Sequence, residues 1–204
     1  MARLTLNAFV TLDGVMQAPS GPDEDPSGDF QHGGWLAPLF GAEMGTIMLD
    51  IVSHAEAFLI GRGTYDIFSR HWPKITSPLN PIATKLNNTP KFVASRTVSS
   101  FDWRGCTGIR DALSELDELK QRIGGELQVH GSHGLAQTLI EHNQIDEYRL
   151  FVCPVLLGHG KRLFQSFDNA GALELVGARS LVGGVVYSVY RPTTGFRTGS
   201  IDVG

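Results

Sequence analysis

The sequence predicts an α/β fold in three layers: a mainly parallel mixed sheet, flanked by helices, with an antiparallel hairpin at the C-terminal end. Three observations predict it. Ala57-Phe58-Leu59-Ile60 and Phe92-Val93-Ala94 are short apolar runs of the kind that form strands buried on both faces. Stretches with helical apolar spacing lie between such runs, and that alternation builds a parallel sheet. Leu173 to Leu181 and Val185 to Arg191 face each other across Gly183-Gly184, as in a hairpin.

Leu4, Leu6, Ala8, Val10 and Leu12 alternate with polar or mixed positions, which gives a first strand with one buried face. Asp13-Gly14 ends it. Gln17 to Gly41 is a connection of about 25 residues, rich in Pro and Gly, and loops of that length are usually functional lids or disordered. Within it Trp35, beside Gly33-Gly34, suits either a ligand cover or a loop packed on the core. Glu43 to Glu56 carries Met44, Ile47, Met48, Ile51, Val52 and Ala55 on one helical face. Ala57 to Ile60 is the next strand, and a helix from Thr64 to His71 follows, stopped by Pro73. Asn80 to Pro90 reads as a loop. Lys91 to Ser95 is a strand. Asp111 to Ile123 is an amphipathic helix that stops at Gly124-Gly125. Leu127 to His130 is a strand whose Gly131-Ser132-His133-Gly134 turn leads into a helix through Asn143. Tyr148 to Leu157 is a strand broken by Pro154.

The chain has 204 residues, which is the size of one domain; residues 1–192 are expected to form it and 193–204 to be a flexible tail. Hydrophobic residues are 42% and charged residues 19%, which excludes wholesale disorder. A net charge of −4 argues against a nucleic-acid partner. No apolar run approaches the ~20 residues of a membrane span, and nothing at the start resembles a signal peptide. Cys106 and Cys153 suggest no disulfide framework, and Cys153 is expected to be an inert buried thiol. A soluble, cytoplasmic protein is expected.

Three turns follow strands: Gly61 to Thr64, Ser95-Arg96, and Gly131 to Gly134. In an open α/β sheet the carboxyl ends of the strands converge on one crevice. Glycine lets backbone approach a phosphate, and a helix N-terminus offers free N–H groups and a positive dipole end. Thr64, Ser95 and Ser132 add hydroxyls, while Arg62 and Arg96 add charge suited to a phosphate monoester. Two arginines at two strand ends fit a cofactor with an extra phosphate, such as NADPH. Neither a Rossmann fingerprint nor a Walker loop is present, because Gly61-Arg62-Gly63 lacks the last glycine and Gly160-Lys161 is followed by Arg162. His130 and His133 lack the Cys, Asp or Glu companions of a metal site, so no metal is expected. The residues around Ser132 do not form the hydrolase elbow. Asp13 is either a substrate anchor or a turn former.

Thr11-Leu12-Asp13-Gly14, Leu59 to Tyr65, Val93 to Arg96, Gly131 to Leu135, Asp146 to Leu150 and Pro154 to Phe164 together resemble the dihydrofolate reductase superfamily. Within it the chain is similar to the branch holding the reductase domain of riboflavin biosynthesis, the RibD C-terminal domain, and its stand-alone relatives. The resemblance implies an NADPH-dependent reductase, often a homodimer. By position, it implies that Gly61, Arg62 and Thr64 grip cofactor phosphates and that Ser95 and Arg96 hold the 2′-phosphate. Gly131, Ser132 and Gly134 would cradle the pyrophosphate, and Ala8, Val10 and Gly14 would line the nicotinamide. Asp13, Trp35 and His130 would face the substrate.

Two positions depart from the relatives. His130 stands where the riboflavin reductases carry an acid, and Ser132 replaces a glycine. Gly45-Thr46 stands where the folate reductases carry a helix carboxylate, which leaves Asp13, Glu43 or Asp50 as the acids available for proton transfer. The expected chemistry is hydride transfer to a C=N or C=O carbon of a small pteridine- or aminouracil-like heterocycle. The alternatives are a non-catalytic nucleotide- or ligand-binding protein on the same fold, or a flavin-dependent reductase.

Overall fold

The computed structural model describes residues 1–98, 100–165 and 170–201. Eight strands form one sheet: β1 (Arg3–Thr11), β2 (Ala55–Gly61), β3 (Lys91–Ala94), β4 (Cys106–Ile109), β5 (Glu126–His130), β6 (Glu147–Cys153), β7 (Ala172–Ser180) and β8 (Val186–Thr193). They run in the order β4-β3-β2-β5-β1-β6-β8-β7. The first six in that order are mutually parallel, and β8 pairs antiparallel with both β6 and β7. This is the mixed, mainly parallel sheet with a C-terminal hairpin that the sequence predicts. Gly183 and Gly184 sit in the hairpin turn with φ of 84° and 79°, and the N–H of Leu181 donates to the carbonyl of Val185 at 2.8 Å.

Among the described residues, five α-helices cover the sheet: α1 (Ala42–Ser53), α2 (Arg62–His71), α3 (Pro81–Asn88), α4 (Ala112–Arg122) and α5 (His133–Glu141). Leu4, Leu6, Ala8 and Val10 of β1 pack with Leu116 and Leu119 of α4 and with Leu135, Ala136 and Leu139 of α5. The opposite face of β1 is buried as well, so the single buried face expected from its alternation is a correction. Thr5, Asn7 and Thr11 are at most 3% exposed. A central strand has no solvent side, and here the second side is a polar layer beneath α1.

Two further elements depart from expectation. Asn80 to Pro90 contains α3, started by Pro81 in the first turn and by Asn80, whose side chain accepts from the N–H of Ala83 at 2.9 Å. The helix buries only Ala83 and Leu86, too few to show a helical period. Strand β4 is short and largely exposed at the sheet edge. The helix after the first glycine turn starts at Arg62, so that turn is the first turn of α2.

The long connection is pinned onto the sheet end. The Gln17 amide donates to the carbonyls of Asp25 and Ser27, at 3.0 and 2.8 Å, and its oxygen accepts from the N–H of Lys161 at 3.0 Å. The Lys161 ammonium reaches Asp25 at 2.6 Å.

Candidate active site

The strand ends and this pinned loop enclose a cavity of about 1580 Å³. Its polar end is built from two helix N-termini. Neither α2 nor α5 has a side-chain cap or an acid in its first turn, so their leading N–H groups and dipoles stay available. Gly131 and Ser132 both adopt left-handed backbone, φ 56° and 57°, which turns the chain sharply from β5 into α5. The two turns are joined. Ser132 Oγ accepts from the N–H of Gly61 at 3.0 Å, the Ser132 N–H donates to Thr64 Oγ1 at 3.0 Å, and the two hydroxyls lie 2.9 Å apart. A Cβ placed on Gly63 or Gly134 would meet nothing within 4 Å, so backbone is open to a ligand at both.

Arg62, Arg70, Arg96 and Arg110 line the same cavity. Arg62 is held by Asp66 at 2.8 and 2.9 Å. Arg96 is exposed and forms no ion pair among the described residues. Ser95 donates its N–H to Ile109 at 2.9 Å, and its hydroxyl accepts from the N–H of Val98 at 3.1 Å, so it shapes its own turn. Two free helix ends and four arginines in one enclosure fit a ligand bearing several phosphates.

Of the predicted site residues, Ala8, Gly61, Arg62, Thr64, Ser95, Arg96, His130, Gly131, Ser132 and Gly134 all line this cavity. Five do not. Val10 lies in the core beneath α5. Gly14 turns the chain at φ 83°, and its carbonyl accepts from Leu163. Trp35 is buried against the core, with its indole N–H donating to the carbonyl of Gln17 at 2.8 Å, so it fixes the loop instead of facing a ligand. Asp13 accepts from Thr11 Oγ1 at 2.6 Å and from the N–H of Gly158 at 2.8 Å, and faces Arg162. The Thr11 bond comes first in lowering its carboxyl to about 2, against a smaller burial effect. Glu43 is tied to Arg179 and to the N–H of Val182, and the Arg179 bond keeps its carboxyl below the usual range. Both acids are ionised structural ties, which corrects their expected place at the chemistry.

Three features of the site were missed. Glu126, Gln128 and His130 recur every second residue on β5 and so share one face. Glu126 accepts from both terminal nitrogens of Arg149, at 2.7 and 2.9 Å. The Gln128 amide nitrogen donates to the carbonyl of Ile51 at 2.6 Å and to Glu126, and its oxygen meets His130 Nε2 at 2.8 Å. Burial, then the Arg149 charge, pushes His130 down to about 4, so it is neutral at pH 7. Asn7, the register partner of His130, also lines the cavity. Glu24 lines it from the loop, and burial raises its carboxyl above the ordinary value. The period-two polar spacing on β5 was a readable signal; Glu24 offered none beyond its loop position.

The family model of the RibD C-terminal domain matches residues 2–187. The chain is 28% identical over 190 residues to the uncharacterized protein YyaP of Bacillus subtilis strain 168, spanning 92% of this chain and 94% of that one. It is 28% identical over 178 residues to the uncharacterized protein YwjB of the same strain, spanning 87% and 91%. Among solved structures, a protein from Shewanella sp. PV-4 provisionally named a riboflavin biosynthesis protein superposes with a TM-score of 0.67 at 17% identity, over 95% of this chain and 99% of that one. That likeness concerns the fold, which is dihydrofolate reductase-like. With nearly its whole length matched and the crevice at the expected strand ends, the chain belongs to the RibD C-terminal domain family, a family of reductase-like domains.

Proposed function

We propose that the protein is an NADPH-dependent reductase that delivers hydride to a C=N or C=O carbon of a small heterocycle. The observation that carries this reading is the Thr64–Ser132 junction. It sets two uncapped helix N-termini side by side at the mouth of one cavity. The N–H groups leading α2 and α5 would hold the pyrophosphate, and Arg96 the 2′-phosphate. When bound, the reduced nicotinamide supplies the hydride.

The chain's own residues then have three tasks. The Gln17-anchored loop excludes water from the cavity. The polar layer of β1 and β5 orients the acceptor ring. A proton must also reach the reduced centre. Among the cavity carboxyls, Glu24 is raised by burial, whereas Asp25 is lowered because its Lys161 and Ser27 bonds outweigh burial. Glu24 is therefore the residue we assign to proton delivery.

Titration with NADPH and with NADH tests the reading. Submicromolar to micromolar NADPH affinity is expected, with NADH weaker. Failure of both to bind below millimolar concentration overturns it.

A further inference from the structure

Strand β7 ends the sheet, and its outer edge meets no further strand among the described residues. It runs nine residues, and every one after Ala172 is exposed. Leu173, Leu175 and Val176 are 44, 53 and 46% exposed. Edge strands are commonly blunted by shortness, by Pro or by Lys, and β7 has none of these. Its one irregularity is a bulge: the register with β8 shifts between Leu175 and Gly177, which makes Val176 an extra residue.

That bulge gives the strand a two-fold pattern. Leu175, Ala178 and Ser180 stand opposite Tyr190, Ser188 and Val186. The partners of those three on β6 are Tyr148, Leu150 and Val152, which pack toward α4 and α5. Leu173, two residues before Leu175, shares that face. Glu174, Gly177 and Arg179 stand opposite Arg191, Val189 and Tyr187 and take the other face. Val176 lies with Gly177 there, since both line the shallow groove beside Arg149. Counted outward from the Val176–Gly177 bond, the faces therefore match step by step: Gly177 with Val176, Ala178 with Leu175, Arg179 with Glu174, Ser180 with Leu173.

We infer that β7 pairs antiparallel with β7 of a second copy of this chain, about a two-fold axis at the Val176–Gly177 bond, and joins two eight-stranded sheets into one. In that register Glu174 lies opposite the partner's Arg179 and Leu175 opposite the partner's Ala178, each pair occurring twice. Glu174 forms no ion pair among the described residues. Arg179 spends Nε and Nη2 on Glu43, which leaves Nη1 for the partner's carboxylate. A bulge spoils pairing with a regular strand. A strand with the same bulge at the same place restores the match, and a second copy supplies it.

Sedimentation equilibrium of the full chain tests this, and a dimer is expected at micromolar concentration. Glu174→Arg sets like charges opposite each other at both ends of the junction and is expected to raise the dimer Kd roughly tenfold. Register is read by mild oxidation of introduced cysteines, which bond only where their Cβ atoms come within about 4.5 Å. Leu175→Cys with Ala178→Cys places thiols directly opposite across the junction, and a covalent dimer is expected. Leu175→Cys with Ser180→Cys uses the same face but is two residues out of register, and is expected to stay unlinked. A monomeric wild type, an unchanged Kd in Glu174→Arg, or equal cross-linking of the two cysteine variants overturns the pairing.

Discussion

Ser132 and Thr64 clasp each other across the ends of β5 and β2, with the Ser132 N–H on Thr64 Oγ1 at 3.0 Å and the hydroxyls 2.9 Å apart. Ser132 also accepts the N–H of Gly61, and it holds a left-handed backbone that glycine adopts more readily. Ser132→Ala keeps the backbone cost and removes the acceptor. It is expected to destabilise the protein by about 1–3 kcal/mol and to weaken NADPH. Ser132→Gly loses the same hydroxyl but eases the backbone, so its loss should be smaller. Urea unfolding of the two variants checks this: a larger loss for the glycine variant would show that the left-handed backbone at 132 carries no cost, and no loss in either would show that the hydroxyl is not the tie.

Arg96 and Arg62 should separate in their effects, because Arg62 is occupied by Asp66 and Arg96 is not paired among the described residues. Arg96→Ala is expected to weaken NADPH by about 1–3 kcal/mol, the scale of a lost charge-assisted bond, and to leave NADH nearly unchanged. Calorimetry with both nucleotides decides the matter. Equal losses for both would remove Arg96 from the 2′-phosphate.

Glu24→Gln is expected to lower kcat by roughly a hundredfold or more with little change in KM. With Glu24 as the proposed proton donor, its acid form is the active one, and in the wild type the rate should fall as pH rises through its elevated value. That alkaline limb should be absent from the variant. An unchanged pH–rate profile in Glu24→Gln would assign the proton to another source.

Asp13 should govern acid stability and not catalysis. Its carboxyl lies near 2 in the folded protein against an ordinary 3.8. Its stabilising contribution is therefore complete above pH 3.8 and is lost as pH falls toward 2. Asp13→Asn should unfold more easily at neutral pH and show a flatter stability curve across that window. Chemical denaturation at a series of pH values provides the check, and a steep loss of turnover at full stability would place Asp13 back at the chemistry.

Much of the architecture was readable because it rests on local signals. The apolar run of β2, the period-two face of β1 and the Gly183-Gly184 turn each report backbone geometry over a few residues. Elements that bury little were not readable: α3 offers two buried side chains, and β4 buries only Ile109. The turns at Gly61 and Gly131, where we propose that phosphate binds, were legible as turns for the same local reason, since a glycine before a helix reports backbone geometry.

The amino-acid order by itself determined the alternation of strands and helices, the glycine turns that open the cavity and the hairpin that ends the sheet. Tertiary structure alone decided which side chains face that cavity. It set Asn7 beside His130 by placing β1 against β5, strands far apart in the chain, and it drew Asp13, Trp35 and Glu43 away into structural bonds. Periodicity reports that a residue is inside; which neighbour it meets depends on strand order and register, and these are fixed by packing between distant segments.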